Sequence, residues 1–91
     1  MGKGNVILDF YGGGCGNCVM VDKFLEELAG EMSAKDIALE KINIKDAGGL
    51  VEEYGVSSLP TLVFLKDGEV KEKLVGLKPK VLISKKITEI F

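Results

Sequence analysis

Two cysteines three positions apart, in Cys15-Gly16-Asn17-Cys18, are the residues of this chain best suited to chemistry. A thiol pair at this spacing can close a disulfide, or it can offer two soft ligands to a metal ion. The rest of the composition narrows the choice. The chain has no histidine and no arginine, and all 12 of its basic residues are lysines. Imidazole acid–base chemistry and bidentate phosphate recognition therefore drop out. A zinc site usually takes four ligands, and an iron–sulfur cluster has a similar demand for thiolates, so one chain falls short of both. A metal shared between two copies stays open, as does a purely structural bridge. The run Gly12-Gly13-Gly14 suggests a phosphate loop, but no Lys-Ser/Thr follows it. Thiol–disulfide exchange is the chemistry these residues fit best.

The surrounding pattern says how such a pair would be held. Val6 to Tyr11 is β-branched and aromatic apart from Asp9, which predicts a buried strand. The glycine run is a loop. From Cys15 onward Cys18, Val21, Leu25, Leu28 and Met32 recur at spacings of three and four, the stripe of one amphipathic helix. Asp22, Lys23, Glu26, Glu27 and Glu31 fall on its other face. Strand, glycine loop and helix together put Cys15 at the helix N-terminus, where free backbone N–H groups and the macrodipole favour an anion. Since the thiolate is the nucleophile, that placement activates Cys15. Cys18, one turn on and on the apolar stripe, is shielded and placed to resolve a mixed disulfide on Cys15.

Downstream, Ile37 to Ile44 is expected to be a second strand, and Asp46 to cap a short helix carrying Leu50, Val51 and Tyr54 that ends at Gly55. Thr61 to Leu65 is a third strand, joined through the hairpin signal Asp67-Gly68 to a fourth, Glu69 to Val75. Pro79 suits the first turn of a last helix whose apolar face is Leu82, Ile83, Ile87 and Ile90. With no repeat or linker, the 91 residues are expected to form one domain. The order βαβ-α-ββα predicts an α/β fold, a four-stranded mixed sheet with helices on both faces.

The net charge of −2 gives no reason to expect nucleic acid or an anionic membrane as partner, and a monomer is expected. The short apolar run after Asn5 is broken by Asp9, too short for a signal peptide, and Val6 stands where an N-myristoylation motif at Gly2 would want Ser or Thr. The expectation is a cytoplasmic protein, and in that reducing compartment paired cysteines are redox-active or metal-binding rather than structural.

Over nearly its whole length the sequence resembles the thioredoxin family. Val6-Ile7-Leu8-Asp9-Phe10-Tyr11 followed by the Cys-x-x-Cys looks like the family's central strand and active-site loop, with Asp9, six residues before Cys15, at its buried carboxylate. Glu40-Lys41-Ile42-Asn43-Ile44 resembles the next strand, with Lys41 at the lysine that neighbours that carboxylate. Val56-Ser57-Ser58-Leu59-Pro60-Thr61 matches the segment ending in a cis-proline, and Lys66-Asp67-Gly68-Glu69 and Gly76 match the hairpin and the glycine beyond it.

The resemblance implies a protein-disulfide reductase without a bound cofactor, acting on disulfide-containing proteins and restored by a thioredoxin-reductase-type donor. It further implies that Pro60 is cis and that Leu59, Pro60 and Gly76 contact substrate; Gly76 is either needed for a close approach of backbones or is a simple strand-ending glycine. Asp9, desolvated in an apolar strand, is expected to carry a raised pKa and to accept the Cys18 proton, directly or through water, with Lys41 tuning it. Gly14, Gly16 and Asn17 are expected to tune the loop, and two of them depart from the family. Gly14 replaces a tryptophan, and Gly16-Asn17 replaces Gly-Pro. Val19 stands where a lysine is frequent, and the N-terminal strand and helix of full-length members have no counterpart. The alternatives are a glutaredoxin-like reductase, whose Cys-Pro-Tyr-Cys and Thr-Val-Pro are absent, and a non-enzymatic Cys-x-x-Cys module that binds metal or a partner.

Overall fold

The structure is a computed structural model that describes residues 4–91. The Gly2 position considered for lipidation lies outside the described residues. The chain runs β1 (Asn5–Tyr11), α1 (Gly16–Glu27), α2 (Ala29–Ala34), β2 (Ile37–Asn43), a 3₁₀ turn (Ile44–Asp46), α3 (Leu50–Glu53), β3 (Thr61–Lys66), β4 (Glu69–Val75) and α4 (Lys80–Ile90). The sheet order is β2-β1-β3-β4, with β1 parallel to β2 and antiparallel to β3. This is the four-stranded mixed sheet expected from the sequence.

Alternation along β1 divides the core between the two faces of the sheet. Val6, Leu8 and Phe10 pack with Val63 and Leu65 beneath Leu50, Tyr54, Val56 and Leu59, which is the α3 side. Ile7 points the other way, into Val21, Leu25, Leu28, Phe64, Ile83 and Ile87 from α1, β3, α4 and the residue that follows α1. By the same alternation Asp9 lies on the face of Ile7, under α1. Its β2 register partner Lys41 shares that face with Ile37 and Leu39.

β2 stops one residue short of Ile44, β3 runs one residue past Leu65 and Pro79 caps α4 instead of lying in its first turn, but two departures from the sequence reading are larger. The stripe from Cys18 to Met32 is not one helix. The chain leaves regular geometry at Leu28 (φ −93°, ψ 5°), just before Ala29-Gly30, where glycine weakens helix continuation. Leu28 still donates its N–H to the carbonyls of Phe24 and Leu25 and stays buried, so the apolar spacing survives the break. Nor does Asp46 cap the next helix. The Asn43 side chain accepts the Lys45 N–H at 3.0 Å and starts a 3₁₀ turn that takes in Asp46, while Gly49 precedes α3 without a side-chain cap.

Phe64 is wholly buried and stacks on Phe91 with ring centroids 6.3 Å apart, whereas Val70 on β4 is 49% exposed. Urea denaturation is expected to show Phe64→Ala costing about 3–5 kcal/mol and Val70→Ala staying within about 0.5 kcal/mol of wild type. Equal effects at the two sites would refute this division of core and surface.

Candidate active site

At the end of β1 the chain turns through Gly12, Gly13 and Gly14, the last with φ +71° in open space. Cys15 follows in extended geometry (φ −101°, ψ 99°) as the N-cap of α1. Its Sγ accepts the backbone N–H of Cys18 at 3.1 Å, the N-cap hydrogen bond with sulfur in place of oxygen. No acidic residue lies in the first turn of α1, so nothing there offsets the positive end of the helix. Cys15 and Cys18 are joined in a disulfide, with Cα atoms 5.2 Å apart. Cys15 is half-buried while Cys18 is only 4% exposed. Gly16 and Asn17 between them are exposed. The pair opens onto a shallow depression of about 420 Å³ bordered by Tyr11, Gly12, Val19 and Asp22.

The Leu59–Pro60 peptide bond is cis, and Pro60 is buried. Leu59 leans on the exit from β1. A Cβ on Gly12 would come within 2.9 Å of Leu59 Cδ1, so the absence of a side chain there lets the proline segment pack against the cysteine loop. The Gly76 N–H donates to the Pro60 carbonyl at 2.8 Å and ties the end of β4 to the same segment. Gly76 directly follows β4, and no atom of the described chain crowds it, since a Cβ there would meet nothing within 4 Å. Its φ of +83° is the reason for glycine.

Asp9 is 1% exposed and lies mid-strand. Burial, then a hydrogen bond to Asp22 and repulsion from it, pushes its pKa up to about 7, with Lys41 pulling weakly the other way. Lys41 is not bonded to Asp9. Its Nζ pairs with Asp22 Oδ2 at 2.9 Å and lies 5.3 Å from the centre of the Tyr11 ring. The Asp22 hydrogen bond is also the main cause of the raised pKa of Lys41. Asp22 was expected on the polar face of the helix, yet its Oδ1 is buried. Its spacing of four from Cys18 is the signal that places it on the inner stripe.

The thioredoxin family model matches residues 1–89. The chain belongs to the thioredoxin family. It is 46% identical over 78 residues to thioredoxin of Bacillus subtilis, covering 86% of this chain and 74% of that protein. It is 37% identical over 83 residues to thioredoxin 2 of Chlorobaculum tepidum, covering 91% and 75%. A solved mutant thioredoxin from Halobacterium salinarum superposes with a TM-score of 0.84 at 36% identity, covering 96% of this chain and 74% of that one. As a member of the thioredoxin family with a disulfide-forming cysteine pair, the protein is a thiol–disulfide oxidoreductase.

The raised pKa of Asp9 ties stability to pH. Folded Asp9 holds its proton up to about pH 7, whereas the unfolded group releases it near the ordinary 3.8. Native protein thus binds more protons across this window, and stability is expected to fall as pH rises from about 4 to about 7, by about 1.4 kcal/mol per unit while Asp9 alone dominates. Asp9→Asn is expected to remove that slope and to exceed wild type in stability at pH 8. Thermal melts across the window check both, and parallel curves for the two proteins would contradict the assignment.

Proposed function

We propose that this protein reduces disulfides in other proteins by cycling Cys15-Gly16-Asn17-Cys18 between dithiol and disulfide. The observation that carries this reading is the asymmetry of the pair: Cys15 caps α1 and is partly accessible, while Cys18 is buried one turn along. The Cys15 thiolate attacks one sulfur of a substrate disulfide and forms a mixed disulfide, and the departing substrate thiolate takes up a proton. Cys18 then gives its proton to Asp9 and attacks Cys15 Sγ. The second substrate thiolate leaves and is protonated. Two electrons have passed to the substrate, and Cys15–Cys18 is oxidised. A thioredoxin-reductase-type dithiol donor returns the two electrons, and no bound cofactor is required.

Leu59, Pro60 and Gly76 form the ledge on which an extended substrate segment rests. Their positions are coupled by the Gly76–Pro60 hydrogen bond and by the packing of Leu59 on Gly12. Gly14, Gly16 and Asn17 tune the loop. The 91 residues act as one domain and one copy, in the cytoplasm. Among the described residues no helix is long and apolar enough to cross a membrane.

Cys15→Ser is expected to abolish insulin-disulfide reduction, and Cys18→Ser to accumulate mixed disulfides through Cys15. Limiting iodoacetamide on the reduced protein should label Cys15 before Cys18, and the reverse order would assign the nucleophile to Cys18.

Asn17 lies in the first turn of α1 and supplies a backbone N–H that proline would remove. Better stabilisation of the Cys15 thiolate favours the dithiol form and raises the reduction potential. Equilibration with glutathione buffers should therefore give wild type a higher potential than Asn17→Pro. Equal potentials would rule out Asn17 as a tuning residue.

A further inference from the structure

Asp22 joins two features that the proposed mechanism leaves unexplained. Two buried carboxyl oxygens, Asp9 Oδ2 and Asp22 Oδ1, lack a hydrogen-bond partner among the described residues when both groups are ionised. The two side chains are within hydrogen-bonding reach of each other, so a proton on Asp9 makes them partners. The other Asp22 oxygen binds Lys41 Nζ at 2.9 Å, and the same ammonium lies over the Tyr11 ring. Lys41 is the β2 register partner of Asp9 on the same sheet face, yet its charge is taken up by Asp22.

We infer that Asp22 is a positioning residue for Asp9: it receives the hydrogen bond of the Asp9 acid and holds the Lys41 ammonium off it, and so controls when Asp9 is available as base for Cys18.

The titratable groups that face Asp9 are Asp22 from α1 and Lys41 from β2, while β3 presents the uncharged Leu62. Asp22 in turn shares with Lys41, Glu26 and Asp36 a groove of about 460 Å³ along α1. Asp22 also borders the depression in front of the cysteines, so it is the carboxylate common to both openings. A like charge and a hydrogen bond to the acid form both favour a protonated Asp9, whereas an unshielded ammonium would favour the ionised form. Removing Asp22 takes away the first two and releases the third, so all three changes act in one direction.

This inference rests on the proposed role of Asp9 as proton acceptor, and its first readout needs no turnover. In the disulfide form of the full chain, the Asp9 carboxyl can be followed by ¹³C NMR across pH in wild type, Asp22→Asn, Asp22→Ala and Asp22→Glu. The Asn and Ala variants are expected to lower the Asp9 midpoint by about one pH unit or more, and Glu to keep it close to wild type. The pH profile of Cys18 attack on a preformed Cys15 mixed disulfide should move with that midpoint. An Asp9 midpoint that is unmoved or raised in both Asn and Ala would overturn the inference. A lowered midpoint with an unmoved profile would establish the Asp22–Asp9 link and overturn Asp9 as the acceptor. Wild-type protein that fails to reduce insulin would overturn the redox reading, and the NMR midpoint would still decide the link.

Discussion

The double pairing of β1 is the constraint on which the rest of this structure depends. Flanked by β2 on one side and β3 on the other, β1 has no free edge, and helices cover both of its faces. Every side chain from Val6 to Phe10 is therefore buried, including the carboxyl of Asp9. Desolvation of that group follows from its place in the sheet, with no dedicated pocket needed. The same strand delivers the glycine loop and Cys15 to the start of α1, so a single segment sets the positions of the Cys15 sulfur and the buried acid.

Local elements then refine that placement. The N-cap bond from Cys18 N–H to Cys15 Sγ gives the first cysteine a backbone donor in the disulfide form. The Gly76–Pro60 bond and the Leu59–Gly12 contact couple three chain segments, from the exit of β1, the turn before β3 and the end of β4. Neither contact involves Gly16 or Asn17, which are exposed.

Much of this was legible from residue pattern. Strand β1, the hairpin at Asp67-Gly68 and the last helix follow from strong periodicity and turn chemistry, and the spacing of Cys15 and Cys18 after a glycine loop announced the site. What escaped was tertiary. Its spacing from Cys18 put Asp22 beside the inner stripe, but its charge made it read as solvent-facing, and the sequence could not show that β1 and β2 bring Asp9 and Lys41 to it. Gly76 read either as a point of close approach or as a strand end, and its φ of +83° was invisible in sequence. The break at Leu28 was hidden because burial keeps the stripe in phase across it.

The two rim strands of the sheet differ in character from its centre. The apolar run of β3 gives way on β4 to Glu69, Lys71, Glu72 and Lys73, and β2 carries Glu40 and Lys41. Extended backbone at a sheet margin is a template for adding another strand, and charges along it discourage neighbouring copies from docking there. Charged margins of this kind guard a sheet against self-association. Crowding many copies together would then be tolerated without the sheets knitting into fibrils.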